Sequence, residues 1–143
     1  MGPVALSDIG VTPLQRIPTP GGDVMHAMKC SDPGYTRFGE AYFSWIEPGA
    51  VKAWKMHQRM TLNLVVPLGT VRFVFHLPGA GMRIEEIGAT NYARLTVPPG
   101  IWFGFQGRAA VPSLLLNLAD IPHEPGEVQR RGVAEIFFDW QST

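Results

Sequence analysis

Two stretches of this 143-residue chain decide its fold: PGAVKAWKMHQ at residues 48–58 and LTVPPGIWFGF at residues 95–105. Each contains a Pro-Gly turn signal followed by a short run rich in branched and aromatic residues, which favours a β-strand. Side chains alternate between the two faces of a strand, so Lys55 and His57 share one face. The two stretches therefore predict two strands, one of which presents a lysine and a histidine side by side.

Similar runs recur at intervals of about ten residues, and each is ended by a turn-forming residue. They are Phe38–Ile46, Val51–Gln58, Leu62–Pro67, Val71–Leu77, Met82–Ile87, Ala93–Val97, Ile101–Phe105, Ser113–Leu118 and Glu135–Trp140. Evenly spaced short strands separated by turns predict an all-β domain of the sandwich or jelly-roll kind. The one stretch compatible with a helix is residues 126–131.

Length and composition predict a single domain that comprises residues 1–143. A chain of this length that is 45% hydrophobic can bury one core of ordinary size. Residues 1–37 are rich in proline and glycine, which predicts an extended N-terminal arm with one or two short strands. Residues 38–143 are expected to form the jelly roll.

Charge and cysteine content exclude several functional classes. Twelve basic and twelve acidic residues give a formal charge of zero, so a surface that tracks nucleic-acid phosphates is not expected. No apolar run approaches the roughly 18 residues of a membrane span, and the N-terminus lacks the pattern of a signal peptide. The single cysteine, Cys30, cannot form an internal disulfide, which favours a reducing compartment. We therefore expect a cytoplasmic protein without nucleic-acid or membrane partners.

The second stretch places Ile101, Phe103 and Phe105 on one face of its strand. If both strands line one barrel, Lys55 and His57 point at a wall of aromatic side chains. The alternative, from spacing alone, is an ordinary half-buried histidine beside a solvated lysine at an edge.

The two stretches resemble the paired signature motifs of the cupin superfamily, whose fold is a jelly roll also called a double-stranded β-helix. The first cupin motif is Pro-Gly, then His-x-His after five residues, then a Glu and a turn glycine; the second is Pro-x-Gly followed by a His. The scaffold positions of both motifs match at Gly49, Gly69, Pro98 and Gly100.

The metal-binding positions of those motifs depart from the family pattern. Of the four ligand positions, only His57 keeps a ligand, while the other three hold Lys55, Leu62 and Phe103. A transition metal needs three or more convergent donors, which an ammonium, an isobutyl group and a phenyl ring do not supply. We therefore predict no metal and no cofactor.

Within the cupins, residues 38–127 are similar to the enzymes that remodel nucleotide-linked keto-sugars. These are the metal-free dTDP-4-dehydrorhamnose 3,5-epimerases and the related 3,4-ketoisomerases. The similarity lies in residues 38–57, in the Pro-Pro-Gly segment at 97–106 and in the closing strand and acidic stretch at 116–125. It implies a metal-free epimerase or isomerase that abstracts a proton beside the ketone of a nucleotide-linked 4-keto-6-deoxy sugar.

The resemblance also implies roles for individual residues. His57 is the predicted base, and Lys55 is expected to favour the neutral imidazole and to steady an enolate oxygen. The expected substrate-binding residues are Arg59, Tyr92, Trp102, Phe103 and Asn117. The guanidinium of Arg59 suits a diphosphate, and the rings of Tyr92 or Trp102 suit the face of a nucleobase or sugar. Each has a plainer reading, as a solvated turn residue or as core.

The catalytic positions are altered relative to these enzymes, which leaves two functions open. The epimerases carry Arg-Gly-x-His where this chain has residues 52–55, Lys-Ala-Trp-Lys, and they place a tyrosine acid on the late strand, where this chain has Leu114-Leu115-Leu116-Asn117. The chain is then either an epimerase or isomerase, or a catalytically silent cupin that binds a sugar nucleotide or other small ligand. A metal-free lyase or isomerase for an unrelated carbonyl compound is a third possibility. The resemblance further implies a homodimer built through N-terminal strands.

Overall fold

The computed structural model describes residues 2–143, and β-strands provide most of the regular structure of this range. The strands are β1 Gly10–Pro13, β2 Arg16–Ile17, β3 Val24–Met25, β4 Glu40–Ile46, β5 Val51–His57, β6 Leu62–Leu68, β7 Thr70–Leu77, β8 Gly81–Gly88, β9 Ala93–Val97, β10 Trp102–Gly107, β11 Ser113–Ala119 and β12 Val128–Arg130. Single-turn 3-10 helices lie at Leu6–Asp8, Pro125–Glu127 and Val133–Glu135. The predicted all-β class is confirmed.

Two five-stranded antiparallel sheets form the jelly roll. The first has the strand order β1-β9-β6-β11-β4 and the second β12-β5-β10-β7-β8, while β2 and β3 form a separate hairpin. The inner faces of the two sheets meet in a core of aliphatic and aromatic side chains, chiefly Leu62, Leu64, Val66, Phe73, Phe75, Leu95, Phe103 and Leu115. Burial of this apolar surface is the main favourable contribution to folding.

The strands predicted between Phe38 and Leu118 are all present, with ends shifted by no more than two residues. Two predictions at the C-terminal end are wrong. Residues 126–131 contain the end of a single-turn 3-10 helix and the strand β12 rather than a helix of one and a half turns, because residues 128–130 pair with β5. Residues 135–140 form no strand and instead lie across the outer face of the second sheet.

This outer segment, residues 131–142, is called here the C-terminal strap. Its carbonyl groups accept hydrogen bonds from side chains and not from a neighbouring strand. This explains why a strand-like sequence does not join the sheet. The Trp54 indole donates to the carbonyl oxygens of Val133 and Ile136, both at 3.2 Å, and the Arg72 guanidinium donates to that of Trp140 at 3.0 Å. The ring of Trp140, which belongs to the strap, packs against that of Trp54 on the sheet with a centroid distance of 5.5 Å.

The N-terminal arm is bound to the first sheet. Its strand β1 pairs with β9 along the sheet edge. Arg94, which is fully buried, donates to the carbonyl oxygens of Ala27 at 2.8 Å and Pro33 at 2.7 Å. The arm therefore contributes a strand to the jelly roll, and Cys30 lies exposed on it. Within residues 2–143, no helix is long and apolar enough to span a membrane.

Candidate functional site

The candidate site is organised by a bulge in β5. Phe103 of β10 pairs with Lys55 and Phe105 pairs with Lys52, so β5 has one residue more than β10 between these pairs. Gly104 permits this close approach, because a Cβ there would lie only 2.5 Å from the Cβ of Ala53. The extra residue brings Lys52 to the same side as Lys55, which strict alternation does not allow.

A cavity of about 410 Å³ opens beside this bulge. It is lined by Ser44, Lys52, Ala53, Trp54, Lys55, Phe105, Arg130 and Arg131. Four of these residues are cationic, and they come from β5, from β12 and from the first residue of the C-terminal strap. β12 supplies Arg130 directly opposite Lys55, because the two residues are paired in the ladder.

The positive charge of the cavity is not neutralised by carboxylates. Among the ion pairs of residues 2–143, none involves Lys52, Lys55, Arg130 or Arg131. Burial, together with the charges of Arg130 and Lys52, lowers the pKa of Lys55 to about 8. Lys55 is half-buried and the other three cations are exposed, and a cluster of cations without carboxylate partners favours an anionic ligand.

His57 is held by a buried carboxylate. Its Nδ1 donates to Oε1 of Glu127 at 2.6 Å, while Oε2 of Glu127 accepts from the backbone N–H groups of Arg59 at 2.8 Å and Met60 at 2.9 Å. Burial acts to raise the pKa of Glu127, but these hydrogen bonds outweigh it and the pKa is lowered. Glu127 is therefore an ionised acceptor that fixes the orientation of the imidazole.

The other ring nitrogen of His57, Nε2, is buried and has no hydrogen-bond partner within the described range. Because Nδ1 donates to Glu127, the hydrogen-bond network assigns the lone pair to Nε2. Burial lowers the pKa of His57 below its usual 6.5, although Glu127 acts in the opposite direction. At neutral pH the imidazole is a neutral, oriented base.

Lys55 and His57 both lie over the ring of Phe103. The distance from the Lys55 Nζ to the ring centroid is 5.4 Å, and the centroids of the His57 and Phe103 rings are 6.2 Å apart. The ring of Phe103 also packs against the rings of Phe75 and Phe105, with centroid distances of 6.2 and 6.5 Å. The structure thus brings the predicted base, the predicted lysine and the predicted aromatic wall together.

The other predicted substrate-binding residues are spread over the molecule. Asn117 is buried inside, where its amide donates to the Ser44 hydroxyl at 3.3 Å. Arg59 pairs with Glu124 at the surface and lies outside the cavity lining. The Tyr92 hydroxyl donates to the His26 carbonyl of the arm at 2.8 Å. The ring of Trp102 packs on the outer face of the second sheet, 4.5 Å from the Arg131 guanidinium carbon.

Sequence reasoning missed two residues that define the site, Glu127 and Arg130. Both belong to the segment interpreted as a short helix, and Glu127 lies 70 residues from the histidine that it binds. No local sequence pattern predicts such a contact. The segment at 128–130 is long enough for a short strand, but the sequence alone does not indicate that it pairs with β5.

The donor set does not suit a transition metal. Within residues 2–143, no group of three or more His, Cys, Asp or Glu side chains is placed to hold a metal ion. The groups at the other motif positions around His57 are the Lys55 ammonium and the Phe103 ring, neither of which is a metal ligand. We therefore predict that the purified protein carries no stoichiometric transition metal. Elemental analysis that finds about one Zn, Fe, Ni or Mn per chain would contradict this.

The buried pair predicts an acid-sensitive fold. The folded-state pKa values of His57 and Glu127 are both lowered, from 6.5 and 4.5, so the unfolded chain binds more protons than the folded chain. Stability from His57 is complete above about pH 6.5 and that from Glu127 above about pH 4.5; both are lost as the pH falls towards the lower folded-state pKa values. The urea midpoint should fall from pH 7 to pH 4, and less steeply in His57→Asn, which lacks the group that is protonated first. Equal slopes in both proteins would contradict this.

Solved structures of similar proteins include one that shares more than a third of its aligned residues with this chain. Scans against protein-family models and against curated proteins find no match. The chain is similar to a dTDP sugar isomerase from Desulfovibrio desulfuricans G20, with 35% identity and a TM-score of 0.88, and the match covers 94% of this chain and 92% of that one.

Two more distant structures share the fold. QdtA, a sugar 3,4-ketoisomerase from Thermoanaerobacterium thermosaccharolyticum in complex with TDP, has 16% identity and a TM-score of 0.76 over 89% of this chain and 90% of its own. A dTDP-4-dehydrorhamnose 3,5-epimerase from Sulfolobus tokodaii has 18% identity and a TM-score of 0.77 over 96% and 84%. The expected jelly roll of this enzyme group is confirmed.

Proposed function

The chain belongs to the family of cupin-fold dTDP-sugar isomerases and epimerases, and we propose that it isomerises or epimerises a nucleotide-linked 4-keto-6-deoxy sugar without a metal. One observation carries the proposal. A buried His57–Glu127 pair, whose Nε2 has no hydrogen-bond partner, shares the Phe103 ring with Lys55, and Lys55 lines a cavity of cations without carboxylate partners. This arrangement supplies a base for a carbon acid and positive charge for a nucleotide diphosphate.

The first chemical step is proton abstraction from a carbon next to the ketone. Nε2 of His57 takes the proton, and Glu127 stabilises the imidazolium that forms at Nδ1. The electron pair left on carbon moves onto the ketone oxygen and gives an enolate. The Lys55 ammonium lies on the same strand face and opposes the negative charge that develops on this oxygen.

The diphosphate is assigned to the mouth of the cavity. Lys52 and Arg130 line it together with Lys55, and the planar guanidinium group of Arg130 suits phosphate oxygens. The Arg131 guanidinium lies against the Trp102 ring on the outer face of the second sheet. Arg59, the residue predicted for this role, is already paired with Glu124 at the surface. In the proposal, the cations that line the cavity bind the diphosphate instead of Arg59.

Solvent deuterium exchange tests the function directly. The protein is incubated with dTDP-4-keto-6-deoxyglucose in D₂O, and the sugar is analysed by NMR and mass spectrometry. We expect deuterium at a carbon adjacent to the ketone, and weaker dTDP binding in Arg130→Gln but not in Arg59→Gln, which removes a charge outside the cavity. If dTDP binds but no carbon of the sugar exchanges its proton, the proposed enzymatic activity is contradicted.

The second candidate function is a silent cupin that binds a sugar nucleotide. The observation that favours it is the altered pair of positions Lys55 and Phe103, where the related motifs carry histidines. Tight dTDP binding without exchange at any carbon is the result that identifies this alternative.

The proposal includes a cytoplasmic location and a homodimer, whose interface we place on β4 and β11 instead of the N-terminal strands that the resemblance implies. The outer face of β4 and β11 is apolar and uncovered, with Phe43 63% and Trp45 56% exposed beside the half-buried Leu114 and Leu116. A second copy of the same face would cover it, as isologous dimers do.

Oligomeric state is therefore predicted to depend on Trp45. Light scattering coupled to gel filtration should give the mass of two chains for the wild type and of one chain for Trp45→Glu. Phe137→Glu is the control, because Phe137 is 85% exposed on the C-terminal strap of the other sheet. A wild-type protein that elutes with the mass of one chain would contradict the dimer.

A further inference from the structure

The outer face of the first sheet carries a second, smaller cavity, called here the arm pocket. It has a volume of about 200 Å³ and lies where the N-terminal arm crosses β11. Most of its lining is apolar, chiefly Met28, Tyr35, Phe38, Leu116 and Leu118. Small-molecule sites usually enclose roughly 300–1,000 Å³, so this pocket suits a single large side chain better than a nucleotide sugar.

A side chain of the required kind stands on the same face of the same sheet. The indole of Trp45 is more than half exposed, whereas the other three tryptophans of the chain are buried. Tryptophan is the residue type that most often fills a pocket of a partner at protein interfaces. An exposed indole and an empty pocket on one face are the two halves of a self-complementary contact between identical chains.

The strand register shows how a two-fold axis brings the two halves together. Trp45, Phe43 and Ala41 follow one another along the outer face of β4. Ala41 is paired with Leu118, which lines the arm pocket. If two copies pack face to face about an axis that crosses the strands at Phe43, the strand directions are reversed between the copies. The partner's Trp45 then lies over Ala41, whose small side chain leaves room beside Leu118.

The charges around the indole and the pocket are complementary. Glu47 is exposed two residues after Trp45, while Lys29 and Arg37 are exposed in the pocket lining. Among the ion pairs of residues 2–143, none involves these three charged residues. The carboxylate of Asp120, which also lines the pocket, already accepts hydrogen bonds from a backbone N–H at 2.8 Å and a hydroxyl at 3.3 Å. The reversed packing therefore brings an unpaired carboxylate towards two unpaired cations.

We propose that Trp45 of each copy inserts into the arm pocket of a second copy, and that this contact fixes Lys52 for the ligand of the cationic cavity. The Lys52 Nζ donates to the Trp45 carbonyl oxygen at 3.0 Å, and Lys52 lines that cavity. An ammonium has three N–H donors, so this bond leaves two for a phosphate. The part that concerns the ligand rests on the proposed function.

Association of the two copies and binding of the nucleotide are then linked. Holding the Trp45 indole in the partner holds its carbonyl group, and with it the Lys52 ammonium, in one position. If the dimer binds dTDP more tightly than the single chain, dTDP strengthens the dimer by the same factor. We expect this factor to be about five or more, within the usual range of coupling between two sites.

A crosslink tests where the indole goes. Cys30 is the single cysteine of the chain, and it is exposed in the lining of the arm pocket. Glu47→Cys adds a thiol two residues from Trp45, and a short bismaleimide joins thiols that lie close together. Within one chain the two positions are at opposite ends of β4, whose seven residues span roughly 23 Å. A crosslink between them therefore joins two copies.

For Glu47→Cys we expect a product with the mass of two chains on a denaturing gel, and peptide mass spectrometry should find position 47 joined to Cys30. Ala134→Cys is the matched control, because Ala134 is exposed on the C-terminal strap of the other sheet. This variant and the wild type should remain single chains on the gel. A dimer in solution whose crosslinks join other positions, or that gives none, would overturn the placement of the indole.

Analytical ultracentrifugation with and without saturating dTDP tests the link to the cavity. In the wild type, dTDP should lower the dissociation constant of the dimer about fivefold or more. Lys52→Met should still form the dimer, but dTDP should no longer strengthen it. Equal dissociation constants with and without dTDP, in a wild type that binds dTDP, would overturn the link through Lys52.

Failure of this inference is distinguishable from failure of the proposed function. A wild type that stays a single chain, yet exchanges deuterium into the keto-sugar, would overturn the inference and leave the enzymatic activity intact. A dimer that crosslinks as expected but binds no dTDP would overturn the proposed ligand and the link through Lys52, while the placement of Trp45 stands.

Discussion

The His57→Asn protein should bind dTDP but exchange no proton of the keto-sugar above background. The loss should be between about a hundredfold and ten thousandfold, the usual contribution of a positioned general base. Asparagine places an amide N–H near the position of Nδ1, so the hydrogen bond to Glu127 can be kept. It removes the lone pair of Nε2, and the cationic lining of the cavity is unchanged.

The matched variant is Lys55→Ala, which removes the neighbouring group on the same strand face. It should slow exchange yet leave a measurable rate. Lys55, whose pKa is about 8, stabilises the enolate oxygen, whereas His57 removes the proton and is still present. If His57→Asn exchanges at the wild-type rate and Lys55→Ala shows no exchange, then Lys55 is the base and His57 is not. If neither substitution matters, His57 is the ordinary half-buried histidine that spacing alone also allows.

The strands that carry this site could be predicted from local sequence. Alternation and turn signals placed Lys55 and His57 on one face of β5 and Phe103 on β10. The pairing of these two strands, which are far apart in the chain, is itself a long-range contact that the alternation does not specify. The fold class follows from the same signals, since evenly spaced strands leave few architectures. Residues that act within regular strands were therefore accessible from the sequence.

The rest of the site depends on long-range contacts. Glu127 reaches His57 because β12 adds itself to the edge of β5, and nothing within residues 126–131 specifies that pairing. The bulge that turns Lys52 towards the cavity depends on Gly104 of another strand. Arg59 is diverted from the cavity by Glu124, 65 residues away. Each case is a tertiary contact that overrides or supplements the local pattern.

Phe103→Ala should be the most destabilising single substitution near the site. Phe103 is 2% exposed and packs between Phe75 and Phe105, with the imidazole of His57 on its third side. Removing a buried phenyl ring leaves a cavity that a two-sheet core closes only in part, which costs about 3–5 kcal/mol.

Urea unfolding at pH 7 measures this loss, with Phe137→Ala as the control because Phe137 is 85% exposed and should change stability by less than about 0.5 kcal/mol. The Phe103→Ala midpoint should fall strongly at an unchanged slope, since the folded surface is nearly the same. Exchange should fall as well, because the ring is the shared platform of His57 and Lys55. An unchanged midpoint would mean that the ring is exposed, that the register of β10 against β5 differs, and that the two groups do not meet over it.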